Sequence, residues 1–78
     1  MVDTQYKEII EYLKEARLDL ENAEDNLRDK IKKIRAYLDE NPDDEEQFDE
    51  WEFLKSRLGD IEEIIEEIED IIRDLQDP

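Results

Sequence analysis

Residues Trp51 to Leu75 read WEFLKSRLGDIEEIIEEIEDIIRDL, and their apolar positions carry the architecture of the chain. Trp51, Leu54, Leu58, Ile61, Ile65, Ile68, Ile72 and Leu75 follow one another in alternating steps of three and four residues. That is the heptad spacing of an α-helix that keeps one seam against a partner helix. A strand would need period two, which does not occur here. The segment predicts a long amphipathic helix.

The residues before it form a second such helix. Tyr6, Leu13, Leu20, Leu27 and Ile34 form a strict seven-residue series. A companion series runs three residues behind it at Ile9, Ala16 and Ala23, then four behind at Ile31 and Leu38. Such a shift is what the drift of a straight helix, about 20° per heptad, would produce. A helix over about residues 4–39 is expected, with Asp3 or Thr4 as its N-cap.

Between the two lies Asp39-Glu40-Asn41-Pro42-Asp43-Asp44-Glu45-Glu46. The residue before a proline is pushed out of the α region, so the first helix stops by Asn41. Asn41 as N-cap and Pro42 as first helical residue would start the second helix, over about residues 42–76. The turn, about residues 40–42, is short enough to make the helices antiparallel neighbours. Gly59 could break the second helix and give three. The heptad passes through Leu58 and Ile61 without losing a residue, so one continuous helix is favoured.

The fold class expected is therefore all-α: a coiled-coil-like helical hairpin filling one domain, residues 1–78. Seventy-eight residues lie near the lower limit for a self-sufficient core. Phe53, Ile64 and Ile71 form a second apolar stripe beside the seam, wider than two helices need. Two hairpins joined as an antiparallel four-helix bundle would cover it, so a homodimer is expected.

Charge narrows the function classes. The chain carries 27 acids and 11 bases, a net charge of −16, so direct nucleic-acid binding and attachment to anionic membrane are not expected. Residues 42–78 hold 16 of the acids and only three bases. The run Asp60, Glu62, Glu63, Glu66, Glu67, Glu69 and Asp70 contains no base and falls opposite the heptad seam. Its rows, about 5.4 Å apart, are spaced comparably to duplex phosphates. A solvated, solubilising face is the plainer account of such a run.

Enzymatic chemistry has little to work with. The chain has no His and no Cys, and its only aliphatic hydroxyls are Thr4 and Ser56. No base is placed to activate Ser56. The acidic turn lacks the spacing of a calcium loop, and a bundle metal site would require His. Neither cofactor nor metal is expected. Arg17 and Glu24 interrupt the first helix's apolar face, with Arg28 and Arg35 on the same side. Their arginine stems would cover apolar surface while the heads pair with acids of the second helix.

The opening residues carry no apolar signal core and no run is long enough to span a membrane, so a cytoplasmic location, host cytoplasm included, is expected. In general shape the layout resembles the small helix-hairpin dimers of the RNA-one-modulator type. Two functions remain. One is a dimerising or adaptor module acting through Phe53, Ile61, Ile64, Ile68, Ile71 and Leu75. The other is an acidic decoy, of the kind phages direct against host defences, that presents Asp60, Glu63, Glu66, Glu67 and Asp70 to a protein partner with a basic, nucleic-acid-binding surface.

Overall fold

The structure is a computed structural model that describes the backbone of residues 3–77 and the side chains of residues 6–77. Two helices, α1 (Asp3–Glu40) and α2 (Glu45–Gln76), pack along one another as an antiparallel hairpin. It is a rod of 61 × 15 × 13 Å, one hairpin wide throughout. The side chains of Asp3 and Thr4, expected as the first cap, lie outside those described.

The start of α2 differs from the sequence expectation. Asn41, Pro42 and Asp43 stay in the turn, and Asp44 is the N-cap, accepting from the Gln47 N–H at 3.1 Å. Asn41 instead closes α1. Its backbone N–H and its side-chain amide both donate to the Tyr37 carbonyl, at 2.9 and 3.0 Å. An Asp cap with Glu45 and Glu46 in the first turn supplies both a hydrogen bond and negative charge at the positive end of the helix dipole. The expected cap, Asn41, is spent on α1, and Asp44, three residues later, takes the role.

Gly59 lies inside α2, which runs through it unbroken and without a positive φ. The packing that carries the helix across this position comes from Leu54 and Ile65, both buried, and from Leu58 and Ile61, both half-buried.

The seam of α1 also differs from the sequence reading. Ile10 is 8% exposed, whereas Ile9, assigned to the companion series, is 50% exposed. Ala16 is exposed, while Arg17 and Glu24 are half-buried. The inward companion row is therefore Ile10, Arg17, Glu24, Ile31 and Leu38, a constant four residues behind Tyr6, Leu13, Leu20, Leu27 and Ile34. The helix keeps its heptad register instead of drifting, at the cost of two charged residues in the seam.

Apolar packing is strongest near the turn. Ile34, Leu38 and Leu54 form a buried cluster, covered by Leu27, Ile31 and Trp51. Farther along, Ile10, Ile65 and Ile72 are the buried positions. No large side chain among the described residues is wholly removed from solvent, as expected of a core only two helices thick.

Candidate interaction surfaces

The hairpin has two edges, and they differ in chemistry. On the first, Arg28 pairs with Glu62 across the helices at 2.9 Å and with Glu24 of its own helix at 3.1 Å. Arg17 approaches Glu69 at 4.0 Å. These contacts, Glu24 foremost, hold the Arg28 guanidinium above its ordinary pKa. The positions flanking the seam on this side are Lys7, Lys14, Glu21, Arg28 and Arg35 of α1, with Phe48, Lys55, Glu62 and Glu69 of α2.

In an antiparallel pair the remaining flanking positions face one another on the second edge. On α1 these are Ile9, Ala16, Ala23, Lys30 and Tyr37; on α2 they are Glu50, Arg57, Ile64 and Ile71. The registers set by Arg28–Glu62 and Arg17–Glu69 place Ala23 at about the level of Ile64, and Ala16 at about that of Ile71. This edge carries an exposed apolar stretch. Ile64 and Ile71 are 43% and 47% exposed, and Tyr12 and Phe53 stand just outside them, also exposed.

The apolar residues expected to interact thus divide into two sets. Ile61, Ile68 and Leu75 are half-buried and belong to the seam within the hairpin. Phe53, Ile64 and Ile71 face outward. Ile9 and Tyr12 join them from α1, a contribution that sequence reading assigned in part to the seam. The signal was present: Ile9 and Ile10 are adjacent, and only one of them can point inward.

The acidic run is less uniform than its sequence suggests. Glu62 and Glu69 do not lie opposite the seam but beside it, facing arginines of α1. Asp60 pairs with Arg57 at 3.2 Å and Asp70 with Arg73 at 3.1 Å. Glu63, Glu66 and Glu67 make no ion pair among the described residues, so the uncompensated face is about one helical turn long. All of these pairs are partly or largely exposed, so each contributes little to stability.

A groove of about 530 Å³ on the first edge was not anticipated. It is lined by Ile31, Trp51 and Leu58 below and by Arg28, Lys32, Arg35 and Lys55 around its rim. Lys55 Nζ sits 4.3 Å from the Trp51 ring centroid and the Arg35 guanidinium 5.3 Å, both within cation–π range. Arg28, Lys32 and Arg35, spaced four and then three residues apart on one face of α1, are the sequence signal for it. Arg35 also pairs with Asp39 at 3.6 Å, and Phe48 packs on Trp51 at 5.7 Å between centroids. These contacts cover the tryptophan and hold the corner beside the turn.

Among the described residues there is no cluster of acids able to hold a metal ion, and no helix long and apolar enough to cross a membrane. Comparison with protein-family profiles, with curated proteins and with solved structures gives no match in any of the three.

Proposed function

We propose that this chain is a non-enzymatic protein–protein interaction module, an acidic helical hairpin that docks through its second edge. The observation that supports this most directly is the exposure of Ile9, Ile64 and Ile71 around two alanines, while the opposite edge is bridged by ion pairs across the helices and rimmed with bases. Burying an isoleucine fully yields roughly 1.5–3 kcal/mol. Three that are already about half covered leave several kcal/mol available to association. Alanines between them allow a further helix to approach closely. A four-helix bundle built from two hairpins, or a hairpin completed by helices of another protein, meets this requirement. The proposed setting is the cytoplasm.

The alternative is an acidic decoy acting on a basic, nucleic-acid-binding protein. It draws support from the net charge and from Glu63, Glu66 and Glu67. It is the weaker reading because Asp60 and Asp70 are engaged by neighbouring arginines.

Paired substitutions separate the two. Ile64→Asp with Ile71→Asp should abolish association, read as solution mass by sedimentation equilibrium and as intermolecular crosslinks in cells that produce the chain. Glu63→Lys with Glu66→Lys, both off that edge, should leave it intact. The opposite pattern would transfer the function to the acids. Association untouched by either pair would sink both readings.

A further inference from the structure

We propose that the occupant of the second edge is a second copy of this chain, laid so that the turn of each hairpin sits at the open end of the other. The inference rests on the reading of that edge as a docking surface, and it fixes the partner and the direction.

The charges of the edge are sorted along the rod. Nearer the turn it carries Lys30 and Lys33 from α1 and Arg57 from α2. Nearer the open end it carries Asp19 from α1, with Glu67 and Asp74 from α2. The edge has four further acids, Asp60 beside Arg57 and Glu40, Glu46 and Glu50 close to the turn. The basic block Lys30, Lys33 and Arg57 on one side of the middle and the acids Asp19 and Glu67 on the other form a self-complementary pattern under a two-fold axis perpendicular to the rod. The centre of that pattern falls at about the level of Asn26 and Ile64. With the turns at opposite ends, Lys30, Lys33 and Arg57 of each copy come over Asp19 and Glu67 of the other, a gain set against one like-charge approach of Asp74 to Glu50. With the turns together, bases lie over bases and acids over acids.

Shape follows the same direction. Phe53, 54% exposed, lies toward the turn, and the opposed arrangement carries it to the level of Ala16 and Ile71 of the other copy. A large side chain then meets a position with room for it. With the turns together, Phe53 would meet the level of Lys33 and Tyr37 instead.

Net charge argues against any self-association, since each copy carries −16. The bulk of that charge lies off this edge, and at physiological ionic strength exposed charges farther apart than about 8 Å are largely screened. Local complementarity across the contact therefore outweighs distant repulsion at moderate salt.

The test combines sedimentation equilibrium with spin-label distances. The unmodified chain should form a dimer. Lys30→Glu with Lys33→Glu and Arg57→Glu should weaken it about tenfold or more, as should Asp19→Lys with Glu67→Lys and Asp74→Lys. Mixing the two triple variants should restore a one-to-one dimer. A label on Lys7→Cys, which stands on the other edge, should report a separation of about 54 Å along the rod when the turns are opposed. It should report a much shorter one when they lie together.

A short label distance, or mixed variants that do not pair, would overturn the proposed direction and leave the docking edge standing. A chain that stays monomeric, yet forms crosslinks from the Ile64–Ile71 edge to a different protein, would overturn the second copy as partner. A dimer unaffected by Ile64→Asp with Ile71→Asp would remove the edge itself, and both proposals with it.

Discussion

The Tyr37 hydroxyl donates a 2.8 Å hydrogen bond to Asp44 Oδ2, while the other oxygen of that carboxylate caps α2 through the Gln47 N–H. One side chain thus starts the second helix and ties it to the last turn of the first. The Asp44 N–H in turn donates to the Asn41 carbonyl at 3.2 Å, closing the connection into a small hydrogen-bonded loop.

Asp44→Ala should therefore lower stability by about 1 kcal/mol, the usual loss on removing an N-cap. Asp44→Asn should retain most of the capping contribution. Asn41→Ala should cost less than Asp44→Ala, because Asn41 caps nothing in α2 and only doubles a bond to the Tyr37 carbonyl. Urea unfolding of the three variants gives the ranking. A larger loss at Asn41 would return the cap to the residue before Pro42.

The same contact acts on the phenol. The hydrogen bond to Asp44, and then the charge of that carboxylate, raise the Tyr37 pKa above the ordinary 10.0. A raised folded-state value means that the neutral phenol favours the fold. That contribution is complete below the unfolded pKa and is lost as pH climbs through the folded one, so the window lies above pH 10. In an alkaline titration followed by tyrosinate absorbance, the step missing from Tyr37→Phe should lie above pH 10. Asp44→Asn should move that step earlier. A Tyr37 step that Asp44→Asn does not move would mean that the bond is not formed in solution.

Gly59 is a position where a single methyl group should help. It lies within α2, and a Cβ built on it meets nothing within 4 Å. Glycine costs about 0.8–1.0 kcal/mol relative to alanine inside a helix. Gly59→Ala should raise stability by roughly that amount, with unchanged helicity by circular dichroism. A loss of stability would show that α2 needs a bend here.

What the sequence made legible was whatever depends on spacing alone. The steps from Trp51 to Leu75 predict the α2 seam, and each of those eight residues is buried or half-buried. Proline after Asn41 predicts the end of α1. Where two neighbours competed for one role, spacing did not discriminate. Ile9 and Ile10 both suit a seam, and Ile10 takes it because its row continues through Arg17 and Glu24 to Ile31 without slipping. The more apolar choice, through Ala16 and Ala23, asks the helix to change register midway. Asn41 was expected as the cap of α2, and the role falls to Asp44 because Asn41 is engaged with the Tyr37 carbonyl. The run from Asp60 to Asp70 looked free of bases because its partners Arg17 and Arg28 come from the other helix, and Arg57 and Arg73 from just beyond either end.

Arg17 and Glu24 test what keeping that register costs. Their side chains are 31% and 18% exposed, seated in the seam where the heptad calls for leucine or isoleucine. Arg17 reaches Glu69 only at 4.0 Å, and Glu24 pairs with Arg28, which also holds Glu62. Partly desolvated pairs of this kind often stabilise less than well-packed apolar residues of similar volume. Arg17→Leu with Glu24→Leu should therefore raise the stability of the hairpin, by about 1 kcal/mol or more. Charged seam residues also restrict which helices pair, and in what register, so the gain should come with looser specificity. The double variant should melt higher and also form assemblies larger than the unsubstituted chain does, seen as a broadened mass distribution in sedimentation. If it melts lower, the two charges stabilise the seam outright, and their pairing with Glu69 and Arg28 is stronger than its exposure implies. If it melts higher with its mass distribution unchanged, the register is set by the apolar rows alone.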